Sequence, residues 1–122
     1  MGIYVEINGV QYPASITGKL SDKDWDGRAS KAITLEMSYS DAINLFTDDV
    51  KWSIVQDIEE EVEEINEETG ETTHKLVTKQ EFYDNSEYNV AGEIIDHRNG
   101  SITVKMGKLT AEELLVMFSE VL

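Results

Sequence analysis

Between Asp57 and Glu71 the chain carries nine acidic residues and no lysine or arginine, in the stretch "DIEEEVEEINEETGE". Whatever backbone this segment adopts, it cannot be buried, because so many unpaired carboxylates do not leave water together. The formal net charge is −15, and nine of those charges lie in these fifteen residues. The remaining −6 is ordinary for a small folded chain. The acidity therefore belongs to one element, and it would repel phosphate backbones and anionic lipid surfaces. We expect no direct nucleic-acid binding and no membrane binding.

The conformation of that element follows from its flanks. From Lys51 to Ile65 apolar residues recur at period two, with Trp52, Ile54, Ile58 and Val62 on one face. Glu67-Glu-Thr-Gly70 reads as a turn, and Thr72 to Tyr83 as a returning strand with Leu76 and Phe82 on one parity. A helix over the glutamates is the competing reading, with Ile58, Val62 and Ile65 as its stripe. Gly70 and the threonine-rich return favour a hairpin. The expectation is a protruding acidic β-hairpin over residues 51–83, anchored at Trp52 and Phe82 and solvated at its tip.

The rest of the chain reads as strands and two capped helices. Ile3 to Ile7, Asn8-Gly9 and Val10 to Ile16 form a hairpin signal. Pro13 suggests that its second strand lies at an edge or a bulge. Ala32 to Met37 alternates, with Ile33, Leu35 and Met37 on one side. Ser38 caps a short helix carrying Tyr39, Ala42, Ile43 and Phe46, which ends near Asp48-Asp49. Tyr88 to Asp96 and Ser101 to Met106 form a further hairpin, and Thr110-Ala-Glu-Glu113 is a capping box. The last helix bears Ala111, Leu114, Leu115, Met117, Phe118, Val121 and Leu122. So wide an apolar face predicts a helix covered on more than one side.

At 122 residues the chain is sized for one α+β domain, an antiparallel sheet with two short helices. Its two parts resemble each other. "ITGKLSD" (16–22) can be laid on "VAGEIID" (90–96), "ITLEM" (33–37) on "ITVKM" (102–106), and Phe46 on Phe118. Residues 16–46 and 90–118 are thus candidates for two ββα-like repeats.

Candidate chemistry is sparse. Asp22, Asp24 and Asp26 alternate ahead of Gly27, like the first half of a calcium loop. The twelfth position, which should supply a bidentate glutamate, is Ile33, and the flanks are strand-like. These three are the metal candidates, with a polar turn as the preferred reading. His74 and His97 read as solvated turn residues, and no nucleophile elbow or glycine-rich phosphate loop is present. With no cysteine, thiolate chemistry is excluded. No cofactor and no enzymatic activity are expected. No secretory-signal pattern opens the sequence, and Glu6 stands where an acylation motif wants Ser or Thr.

The stretches "DWDGRASKAITLEMSYSDAINLF", "VKWSIVQ" and "YDNSEYNVAGEIIDHRNGSITVKMGKLTAEELL" resemble a group of small uncharacterised phage and prophage proteins of gut Firmicutes. The resemblance covers most of the chain outside the acidic hairpin. It implies an accessory or virion-structural role through protein contacts or self-association, in the host cytoplasm or on the virion, and carries over no site residue. Glu59, Glu61, Glu63 and Glu64 on the hairpin, with Leu114 and Phe118 on the last helix, are the candidate contact residues. Two alternatives are an acidic inhibitor that mimics nucleic-acid charge against a basic host protein, and a weak calcium-binding module.

Overall fold

The computed structural model describes residues 2–121, and side chains through Ser119. Seven strands form one antiparallel sheet: β1 (Ile3–Ile7), β2 (Val10–Asp22), β3 (Arg28–Glu36), β4 (Ser53–Ile65), β5 (Thr72–Asp84), β6 (Val90–Asp96) and β7 (Ser101–Gly107). Their order is β5-β4-β1-β2-β3-β7-β6. Helix α1 (Tyr39–Leu45) joins β3 to β4, and α2 (Ala111–Val121) follows β7. The class is α+β.

The first hairpin turns at Asn8 and Gly9, both at positive φ (54° and 78°), as a tight two-residue turn requires. Its second strand continues to Asp22, six residues beyond the expected end, because β2 changes partners along its length. It pairs with β1 as far as Tyr4↔Pro13 and with β3 from Ala14↔Leu35 onward. Pro13 is therefore in a central strand, contrary to the expected edge or bulge. It is tolerated at the handover, where no ladder bond to β3 has begun.

One face of the sheet holds the core. Val5, Ile7, Ile33, Leu35, Ile102, Val104 and Met106 point into it, joined by Trp52 and Tyr88. Helix α1 closes it with Ala42 and Phe46, and Leu45 is partly buried alongside. Ser38 starts α1 by accepting the Asp41 N–H at 3.1 Å. Tyr39 and Ile43, expected on the buried stripe, are about half exposed, because a helix ending at Leu45 covers the core with fewer than two turns. Trp52 is 2 % exposed, and its indole N–H donates to the Tyr88 carbonyl at 3.0 Å.

β3 and β7 pair symmetrically about Thr34↔Thr103, whose hydroxyls are 2.8 Å apart. This is the pair that "ITLEM" and "ITVKM" match. The outer strands do not follow the same match. Ile16 lies opposite Ile33, but Asp96 lies opposite Ile102, so Ile16 corresponds in the ladder to Asp96 and not to Val90. The irregularity between Ala91 and Ile94 shifts β6 further. The helices differ as well: Phe46 is buried and Phe118 is 67 % exposed.

Because Trp52 fills the core and satisfies its one polar atom there, Trp52→Ala should cost about 3–5 kcal/mol. Urea unfolding followed by far-UV circular dichroism checks this; a loss below about 1 kcal/mol would place Trp52 outside the main core.

Candidate functional site

The three aspartates that open like a calcium loop are not brought together. Asp22 ends β2 fully buried, accepting from the Asp24 N–H (3.0 Å) and the Ser30 hydroxyl (3.1 Å), with the Lys105 ammonium at 2.7 Å. The Lys105 bond, with help from the two other donors, holds the Asp22 carboxyl below its ordinary range against the opposing effect of burial. Asp24 lies in a single 3-10 turn (Lys23–Trp25), and Asp26 takes a left-handed conformation (φ 57°); both side chains are exposed. Among the described residues no group of three or more His, Cys, Asp or Glu side chains is placed to hold an ion. The loop's alternation serves a turn and one buried ion pair.

The same loop carries Trp25 back across the sheet. Its ring lies over Gly92 and Gly107, where an added Cβ would meet ring carbons at 2.7 and 2.9 Å. Arg28 stacks on that ring, 5.1 Å from its centroid. From there Arg28 reaches the Lys108 carbonyl (2.7 Å) and both carboxylate oxygens of Glu113 (2.6 and 3.2 Å). Glu113 also accepts the Thr110 N–H at 2.8 Å, and Thr110 accepts the Glu113 N–H at 3.2 Å, the reciprocal box expected from the sequence. Helix α2 is thus fastened at its first turn.

Beyond that turn the described side chains of α2 are uncovered, contrary to the expectation of a helix packed on several sides. Leu114, Leu115, Val116, Met117 and Phe118 are 42–67 % exposed. Tethering at Glu113 fixes the helix start away from the α1-covered core, so its apolar residues face solvent. Leu122 lies outside the described residues, as does the side chain of Val121. The candidate contacts Leu114 and Phe118 are therefore both accessible.

The acidic hairpin is a ribbon. β4 and β5 pair without interruption from Ser53↔Asp84 to Ile65↔Thr72. β1 accompanies β4 only from Ser53 to Gln56, so the last nine residues of β4 have β5 alone beside them. At ~3.3 Å per residue this gives a projection of roughly 30 Å. The root is latched by Asp57, which accepts from the Tyr4 hydroxyl (2.9 Å) and the Gln80 amide (3.0 Å). Gln80, then Tyr4, hold the Asp57 carboxyl below its usual range. A short-range sequence pattern cannot reveal this latch, since its members lie on three strands. Phe82, expected as an anchor, is 55 % exposed; Val55, on the same face, is fully buried and takes that role.

Of the candidate glutamates, Glu59, Glu61 and Glu63 share one face of the ribbon and Glu64 the other. Their charges are partly met from β5. Lys79 lies 2.9 Å from Glu60, Lys75 3.1 Å from Glu64, and His74 3.2 Å from Glu61. All are solvent-exposed pairs, worth little individually.

No protein-family model, no curated protein and no solved structure matches this chain. Among the described residues no helix is long and apolar enough to cross a membrane.

The Arg28 bridge sets a titration. Arg28 first, then the Thr110 N–H, lowers the Glu113 pKa from 4.5 to about 2. A folded-state value below the unfolded one stabilises the tether above the ordinary carboxylate range and loses it as pH falls through about 2. Carboxyl carbon NMR should show Glu113 titrating at about 2, and Arg28→Gln should return it toward 4.5. Titration of Glu113 near 4.5 in the intact protein would refute the bridge.

Proposed function

We propose that this chain is a phage or prophage accessory or virion-structural protein that works through contacts with other proteins and performs no reaction of its own. The observation that carries the reading is α2: five consecutive apolar residues exposed on a helix fastened at its first turn. Fully burying a leucine or phenylalanine side chain contributes about 1.5–3 kcal/mol, which a partner surface would recover. The ribbon supplies a second contact element, projecting from the opposite end of the sheet. The resemblance of the body to phage and prophage proteins supplies the setting, in the host cytoplasm during assembly or on the particle.

The nucleic-acid mimic draws less support, because Glu60, Glu61 and Glu64 already have Lys79, His74 and Lys75 within reach and do not form a bare anionic row. The calcium module draws less again, because Asp22 turns inward to Lys105.

In a host producing the particle, deleting the gene should lower the yield of infectious particles. The wild-type chain should restore it, and a folded Leu114→Asp/Phe118→Asp variant should not. Normal yield with that variant would remove α2 from the function, and normal yield without the gene would end the reading.

A further inference from the structure

We propose that the outer edge of β5 is a dimerisation edge, on which β5 of a second copy pairs antiparallel about a two-fold axis at Thr78. This names a partner within the protein-contact reading and rests on it.

β5 is the outermost strand at its end of the sheet, thirteen residues long, and among the described residues it is paired on its inner side alone. The direction of its main-chain groups is set at both ends of the hairpin. The Asn66 N–H donates to the Glu71 carbonyl and the Asn85 N–H to the Trp52 carbonyl, each at 2.9 Å. The main-chain groups of the even-numbered residues from Thr72 to Asp84 therefore face away from β4. An unpaired, regular edge of this length is a template for another strand. The other edges are not equivalent to it. β1 lies on the free side of β4, so a strand laid there would run into Gly2–Tyr4. β6 has seven residues and an irregularity between Ala91 and Ile94, which interrupts its outer edge.

Charge selects a second β5 for this edge. From Thr72 to Gln80 the strand has His74, Lys75 and Lys79 and no acid, whereas Glu81 and Asp84 stand at its root. An antiparallel copy lays the basic part of one strand against the acidic part of the other. Outward main-chain groups meet only in registers centred on a residue of β5. Centred on Thr78, the two copies set Lys75 opposite Glu81 twice and Thr72 opposite Asp84, so the whole of β5 is paired. Centring on Val77 sets Lys75 opposite Lys79, and centring on Lys79 sets the two Lys79 side chains against each other. Centring on Gln80 sets Lys79 opposite Glu81 but pairs only Leu76 to Asp84.

The sheet order keeps the two bodies apart. Every other strand lies on the β4 side of β5, so the bodies fall on opposite sides of the new pair. Phe82 lies opposite His74 of the second copy, which also offsets the two roots by roughly 26 Å along the strands. After Asp84 the chain turns inward, with Asn85 buried and its N–H directed at Trp52. Leu76 and Phe82, 68 % and 55 % exposed, share a face of β5, and in the dimer each Phe82 lies diagonally beside Leu76 of the second copy. β4 and its glutamates stay one strand removed from the contact. The contact is isologous, so it closes at two chains.

The test uses the full chain in sedimentation velocity over a wide concentration range. Wild type should pass from monomer to dimer. K75E and E81K should each dimerise at least about tenfold more weakly, because each sets like charges opposite one another at both ends of the pair. The double variant K75E/E81K exchanges the charges and should dimerise as wild type does, and a mixture of the two single variants should form the heterodimer. Register is read separately. The chain has no cysteine, so T78C places one thiol of each copy at the axis, where Cα atoms about 5.5 Å apart allow a disulfide. T78C should oxidise to a covalent dimer, and Q80C, four residues out of step with its symmetry mate, should not. A monomeric wild type, a double variant as weak as the single ones, or equal cross-linking of T78C and Q80C overturns the inference. If both charge variants dimerise like wild type and Leu114→Asp/Phe118→Asp dissolves the dimer, the strand pairing fails and the protein-contact reading stands.

Discussion

A length mismatch between neighbouring strands governs this molecule. β1 has five residues and β4 has thirteen, so β4 is flanked on both sides only from Ser53 to Gln56. Where both neighbours are present, Val55 is fully enclosed; where β1 stops, burial stops and the glutamates begin. Two-stranded ribbons are marginal in water unless something else holds them. Here the support is the root, where Tyr4, Asp57, Gln80 and Gln11 tie four strands together on the face away from the core. The lysines of β5 relieve part of the repulsion along β4 without removing its negative character.

The other end of the sheet follows a different logic. There a buried aspartate is paired with a lysine. Asp22 is compensated by Lys105, Ser30 and its own turn, which meets the requirement that a buried charge be paired and hydrogen-bonded. Removing one partner of such a cluster leaves the other uncompensated, so the loop is fixed in place, and with it Trp25 and Arg28. Arg28 in turn sets where α2 begins. The direction of the exposed helix thus depends on a polar cluster, and the direction of the ribbon on a polar latch. In both cases the exposed element is held at its root by polar side chains.

The strands and caps were legible because their signals are local. Asn8-Gly9, the alternation from Ala32 to Met37, Ser38, and the Thr110 box each act within a few residues. The ribbon was legible because its charge forbids burial. What escaped was decided by neighbours distant in sequence. Pro13 looked like an edge residue because the strand's change of partner is a property of three strands together. The aspartate loop looked like half a metal site because Lys105, more than eighty residues on, is invisible to spacing. The apolar breadth of α2 reads as deep burial; the same pattern also describes a helix with an exposed apolar face, and periodicity does not distinguish the two. Matching "ITGKLSD" to "VAGEIID" failed in register because resemblance of short strings carries no information about the irregularity in β6.

The central claim is that Ile58 to Ile65 forms a strand paired on one side only. Amide hydrogen exchange by NMR, at a dilution where the chain is monomeric, tests it residue by residue. The N–H groups of Ile58, Glu60, Val62 and Glu64 should be protected, and those of Glu59, Glu61 and Glu63 should exchange near the rate of an open chain. Uniform protection through these seven residues would mean a helix or a buried strand, and uniform exchange would mean no ribbon at all; either result contradicts the claim.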